Sequence, residues 1–107
     1  MAVTLADILA ARRRIRGLAD GTPFVPSPFM SARVSREFLL KLETAQPTGA
    51  FKLRGALNAV LALPGDAPGV VCCSTCNHGR AVAHAAAGRR MRAVVCLSHL
   101  VPKAKVD

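Results

Sequence analysis

Residues 70–98, "VVCCSTCNHGRAVAHAAAGRRMRAVVCLS", carry the pattern that decides the fold. A short β-rich run at 70–74 enters a polar bend, Thr75 to Gly79. An alanine-rich stretch follows, and then a second β-rich run at 91–98. Alanine is the strongest helix former, and valine pairs favour a pleated backbone. A strand, a helix and a strand joined by short loops make a right-handed unit whose strands lie parallel.

Upstream, the compact apolar run "EFLLKLE", residues 37–43, predicts an earlier strand, and "TAQPTG" after it is a loop by composition. Phe51, Leu53, Leu57, Val60 and Leu61 predict a helix from Ala50 that ends before Pro64. "PGDAPG" is another loop. The order is then strand, helix, strand, helix, strand, which indicates an α/β fold with a parallel sheet. Near the start, Thr4 and Asp7 match a capping box. Leu5, Ile8, Leu9, Ile15 and Leu18 follow as one apolar face, so the first helix should reach about Arg16 or Leu18. "TPFVPSPFM", residues 22–30, has three prolines, which excludes a central strand and suits an extended segment with a tight corner. Ser31 to Ser35 fit one short helical turn, and "VPKAKVD" at 101–107 reads as the opening of a further helix, as in a fragment of a longer protein.

The totals narrow the function. With 107 residues the chain is one small domain, and its 51% apolar content is largely alanine with four aromatics, all Phe. That favours helices packed closely on a sheet over a bulky aromatic core. No apolar run is long enough to span a bilayer. The N-terminus places its acid before the apolar stretch and its arginines after it, opposite to a secretory signal. The reading is a soluble, cytoplasmic protein with no membrane partner. Net charge is +9, yet the basic residues spread from Arg12 to Lys105 and there is no Tyr or Trp for base stacking. Arg12, Arg13, Arg14 and Arg16 interleave with Leu9, Ile15 and Leu18 as a solvated helix face does, so no nucleic-acid partner is expected. Cys72, Cys73, Cys76 and Cys96 are too crowded for an ordinary disulfide framework and suit a reducing compartment.

One residue sits oddly. Lys52 follows a Pro-Thr-Gly turn and opens a predicted helix, where the positive end of the macrodipole disfavours a cation. In α/β folds, ligands gather at strand carboxyl ends, where loops lead into helix N-termini. Gln46 to Lys52 and Ser74 to Gly79 both occupy such positions. The second segment combines Ser74, Thr75, Asn77 and His78 with a glycine at a helix start, as a carboxylate or phosphate needs. An amine nucleophile beside an anion cradle points to carbonyl chemistry through a Schiff base. Burial beneath a cofactor would lower the lysine's pKa and explain its place.

Three stretches, "LKLETAQPTGAFKLRGA", "CCSTCNHGRAVAHAA" and "VCLSHLVPKAKVD", resemble the N-terminal third of the fold-type II pyridoxal-phosphate enzymes. The similarity is to threonine/serine dehydratases and serine racemases, and the last stretch is most similar to dehydratases of hydroxyectoine utilisation. It extends over nearly the whole chain, most strongly from Leu39 to Asp107. The resemblance implies a three-layer parallel sheet with flanking helices, the N-terminal portion of the tryptophan synthase β-like fold. Residues 1–107 would be an incomplete N-terminal part of a lyase. Within it, 1–45 would hold the first helix and strand, and 46–107 a βαβ segment with the lysine and the substrate loop.

By the same resemblance, Lys52 is the catalytic Schiff-base lysine, and Phe51, Lys52 and Asn77 bind pyridoxal 5'-phosphate. Ser74, Thr75, Asn77 and His78 hold the carboxylate of a small amino-acid substrate, and Gly79 lets their loop turn into the next helix. The implied reaction is β-elimination from a hydroxy amino acid such as threonine or serine, giving a keto acid and ammonia. Racemisation by the same lysine is the alternative. The family's glycine-rich phosphate loop and the residue facing the pyridine nitrogen would lie beyond Asp107, so little activity is expected from the 107-residue chain alone. A full-length protein would be a homo-oligomer.

Two positions depart from the family's pattern. Cys76 replaces a glycine; should that position require φ > 0, its Cβ costs about 1–2 kcal/mol. Arg89, Arg90 and Met91 replace a Leu-Gly-Ile turn, which would loosen the following connection. Arg54 reads as a structural ion-pair former, and His84 as a packed helix residue. A competing reading from another class uses Cys73, Cys76, Cys96 and His99 as zinc ligands in C-x2-C and C-x2-H spacing. It requires the intervening helix to fold back, and it leaves residues 39–58 unexplained; otherwise the chain carries no metal.

Overall fold

In a computed structural model, residues 2–103 are described. Thr4 caps α1 (Leu5–Arg14) through the expected box, Thr4 Oγ1 accepting from Asp7 N and Asp7 Oδ2 accepting from Thr4 N at 2.9 Å. The helix ends at Ile15, earlier than its apolar spacing suggests, because Gly17 turns the chain at φ +77°. Leu5, Ile8, Leu9 and Leu18 of the supposed core face are exposed, while Ile15 and Ala19 pack on the core.

The proline-rich segment forms an extended β1 (Phe24–Pro26), then α2 (Pro28–Val34), longer than the single turn expected. β2 (Leu39–Lys41) pairs antiparallel with β1. This corrects the anticipated strand order. β2 pairs with β1 in a two-stranded sheet of its own, separate from the later strands. The pairing continues at both ends, Ser27 N donating to Phe38 O and Leu42 N to Pro23 O.

The expected parallel sheet is formed by β3 (Gly69–Cys73) and β4 (Arg92–Cys96), with α4 (Asn77–Gly88) crossing between them. α4 packs on both strands and against α3 (Lys52–Leu61). The core is small-residue rich, as the composition suggests: Leu53, Ala56, Leu57 and Val60 meet Ala81, Val82 and Ala85. His84, expected to pack, is exposed, because α4 turns its alanine face inward instead. The stretch from 101 onward, read as a helix opening, has only an irregular start at Val101 to Lys103; 104–107 lie outside the described residues.

The α4–β4 connection does not loosen where the Leu-Gly-Ile turn is missing. Arg90 N donates to Ala87 O and Met91 N to Ala86 O, the paired bonds of a Schellman cap. Met91 also packs against the core. Arg89 reaches back to α3, its guanidinium donating to the carbonyls of Val60, Leu63 and Pro64 at 2.6, 3.1 and 3.0 Å. It thus adds side-chain hydrogen bonds to the carbonyls at and just past that helix's end. The cost falls on Arg90, held at φ +54° where glycine is at ease.

The segment before α3 is pinned by a polar cluster. Glu43 accepts from Arg54 Nε and Nη2, both at 2.8 Å, from the Thr22 hydroxyl at 2.6 Å and from Gln46 Nε2 at 3.3 Å. Buried Gln46 also bonds both backbone groups of Asp20. The Arg54 hydrogen bonds, offset in part by burial and helped by Thr22, lower the Glu43 carboxyl to about 2. Arg54 is the structural ion-pair former expected.

Because the unfolded carboxyl titrates near 4.5, the unfolded chain binds more protons between that value and about 2. Glu43 therefore contributes stability above pH 4.5 that is lost as the pH falls toward 2. Urea unfolding across that range should show it, and Glu43→Gln should flatten the dependence while lowering stability at pH 7. Arg90→Gly should raise stability by about 1 kcal/mol, since the strain relieved at positive φ exceeds the added unfolded-chain entropy. An unchanged urea midpoint would show that Arg90 is not strained.

Candidate active site

Lys52 is the first residue of α3, directly after Phe51, whose side chain makes no capping bond. The approach is set by a tight turn, Gly49 N donating to Gln46 O at 2.7 Å with Gly49 at φ +69°. Pro47 occupies the turn position where its fixed φ fits. Thr48, in the same turn, is buried, and its hydroxyl has no partner among the described residues. Lys52 is exposed and its ammonium lies 5.3 Å from the centre of the Phe51 ring. It has no ion pair or hydrogen bond among the described residues, whereas Glu43 is engaged by Arg54 at 2.8 Å and by Lys41 at 3.8 Å.

The second segment begins at the end of β3. Ser74 N donates to Cys96 O at 3.0 Å, so the bend leaves directly from the strand ladder. The Ser74 hydroxyl accepts from Cys76 N at 3.2 Å and from Gly79 N at 2.8 Å, which shapes the bend and caps α4. The N–H groups of Asn77 and His78, in the first turn of α4, find no acceptor among the described residues. They lie at the positive end of the helix and suit an anion.

Cys76 has φ −169°, so the premise of a positive φ fails, and with it the strain expected on that ground. Its thiol donates to Asn77 Oδ1 at 3.4 Å. Gly79 also differs in its reason from the one expected. Its φ is not positive; instead, a Cβ there would lie 2.7 Å from Val95 Cγ1 and 3.1 Å from Ser74 Cβ. The glycine permits α4 to start close against β4 and under the bend.

Two adjoining cavities meet at Phe51. One, about 400 Å³, is lined by Lys52 and His78 over a floor of Gly55, Ala56 and Ala59. The other, about 320 Å³, is lined by Asn77, Gly49, Ala50 and the β2 end at Leu40 to Glu43. Of the predicted site residues, Phe51, Lys52 and His78 therefore share one cavity, and Asn77 lines the other with Phe51. Ser74 and the exposed Thr75 line neither cavity. The small-residue floor and the β2 wall were not foreseen. Glycine and alanine at 55, 56 and 59, spaced along one helix face, are the signal that could have found the floor.

A larger cavity of about 750 Å³ lies between α1 and α3, beside Arg12, Arg16 and Asn58. It holds none of the predicted residues and no free amine, so the smaller pair is the better candidate. Among the described residues, no group of three His, Cys, Asp or Glu could hold a metal ion. The zinc reading is thereby corrected: the strands bring Cys73 beside Cys96, but Cys76 and His99 do not join them in a ligand group.

The cavity chemistry fits pyridoxal phosphate: an uncommitted primary amine, an adjoining aromatic ring and free helix N–H groups. No helix among the described residues is long and apolar enough to cross a membrane.

Comparison with known proteins agrees. The family model "Pyridoxal-phosphate dependent enzyme" matches residues 15–107. A Sinorhizobium fredii protein named "Putative threonine dehydratase" is 46% identical over 107 residues, covering 98% of this chain and 32% of that protein. The serine racemase of Dictyostelium discoideum is 35% identical, over 98% of this chain and 33% of its own length. The solved structure of maize serine racemase superposes with a TM-score of 0.91 at 36% identity, over 99% of this chain and 33% of that one. The chain thus spans about a third of the length of these relatives. With the matching model extending over most of its residues, the chain belongs to the pyridoxal-phosphate dependent enzyme family.

Proposed function

We propose that this chain supplies the reactive lysine and the substrate loop of a threonine- or serine-type ammonia-lyase. The supporting observation is that Lys52, free of any ion pair among the described residues, shares one cavity with His78 of the first turn of α4. The proposal places the protein in the cytoplasm and gives it a small amino acid as its substrate. Nucleic acid has no part in it, and the full-length protein is a homo-oligomer.

The bound cofactor supplies an electron sink for the pair left at Cα when its proton departs. Lys52 Nζ holds the cofactor and, once released by substrate, takes the Cα proton as a neutral amine. Phe51 shields one side of the amine from water. The substrate carboxylate would be held by the N–H groups of Asn77 and His78 together with the Thr75 hydroxyl, and the Asn77 side chain would help to hold the cofactor. Ser74 takes part by holding the bend, since its hydroxyl already accepts from Cys76 N and Gly79 N. Departure of the β-hydroxyl then leads to a keto acid and ammonia.

The serine racemases among the relatives favour a second reading, in which the same lysine works with an acid on the opposite face. Product analysis on a full-length protein separates the two: keto acid and ammonia in one case, the inverted amino acid in the other.

The direct test incubates a full-length protein carrying this chain with pyridoxal phosphate, reduces with borohydride and maps the modified lysine by mass spectrometry; the 107-residue chain alone should bind weakly or not at all. Lys52 should carry most of the label, ahead of Lys41, Lys103 and Lys105. Lys52→Ala should remove that label and the accompanying visible absorbance. Even labelling of all lysines, or an absorbance that survives the substitution, would remove Lys52 from this role.

A further inference from the structure

We propose that Cys73 and Cys96 form a dithiol modification site, closed by two-electron oxidants into an intrachain disulfide. The two residues are register partners at the carboxyl ends of β3 and β4, and both are exposed. Alternation along the strands places them on one face, with Val71 and Val94 before them, while Val70, Cys72, Ala93 and Val95 turn to the other. Neighbouring parallel strands lie about 4.8 Å apart. That falls within the Cα separation of about 4.4–6.8 Å that a disulfide spans.

The other two cysteines compete poorly. Cys72 lies on the opposite face, and burial, followed by the nearby Cys73 and Cys96, pushes its thiol up, which disfavours its thiolate. Cys76 lies past the strand at the N-cap of α4, with its thiol donating to Asn77 Oδ1. The pair also adjoins the bend of the candidate site, because Ser74 follows Cys73 and its N–H donates to Cys96 O. The site is independent of the role given to Lys52.

With hydrogen peroxide the chemistry balances. One thiolate attacks a peroxide oxygen; the O–O bond breaks, hydroxide leaves and a sulfenic acid remains. The second thiolate attacks that sulfur, the S–O bond breaks and a second hydroxide leaves. The hydroxides take up the two thiol protons, so two thiols and one peroxide give a disulfide and two waters. Sulfur loses the two electrons that the peroxide gains.

The test treats the reduced chain with equimolar hydrogen peroxide, counts thiols and maps cross-linked peptides without reduction. Free thiols should fall from four to two, with the peptide of Cys96 joined to that of Cys73. Cys73→Ser and Cys96→Ser should each abolish the link, and Cys76→Ser should keep it. A link that survives in Cys96→Ser, or oxidation without any link, overturns the proposal. A second readout needs no substitution: a trivalent aryl arsenical, which bridges paired thiols, should bind the native chain one to one and block alkylation of Cys96. Undiminished alkylation of Cys96 would refute the pairing.

Discussion

Close approach of α3 and α4 is the constraint on which the rest depends. Their contact is built from Ala56, Ala81 and Ala85 among Leu53, Leu57, Val60 and Val82. Small side chains let two helix axes come together where larger ones would hold them apart. One consequence is that the first turns of both helices open on the same cavity, Lys52 from one and His78 from the other. Gly79 extends the same economy of volume to the sheet, where any Cβ would collide with Val95. Packing and site geometry are thus one property of this chain, and a larger residue at these contacts would move both.

The polar cluster around Glu43 serves a different end. A carboxylate near a helix start would ordinarily recruit the nearest cation, and Lys52 lies close in sequence. Arg54, one helical step further, meets Glu43 with two parallel bonds that an ammonium cannot match. Thr22 and Gln46 complete the set, and Gln46 ties the segment to Asp20 as well. The lysine is left with its neighbouring ring alone. An unpaired amine has a smaller cost of release than an ion-paired one, which is what a covalent role requires.

Several details were not legible residue by residue. Cys76 looked like a strained replacement for glycine, but that strain depends on a positive φ, and the bend holds Cys76 at φ −169°. Arg90 does carry a positive φ, because a Schellman cap needs a left-handed residue wherever the helix stops. Arg89 looked like a weak point and instead closes the end of α3, through carbonyls far away in the sequence. β2 had the composition of a strand, yet composition does not name a strand's partner, and that partner is β1.

What the sequence determined by itself is local. Alanine runs, valine pairs, a capping box and proline turns fix helices, strands and bends through propensity and hydrogen bonds between near neighbours. The stretches around Lys52 and Asn77, with the one that begins at Val95, were enough to indicate the family. Tertiary structure alone decided which strands pair, that Cys73 lies beside Cys96, and that Lys52 faces His78 across a floor of small residues. Those outcomes join residues distant in the chain, and they follow from volume, register and competition for hydrogen-bonding edges, none of which a single segment contains.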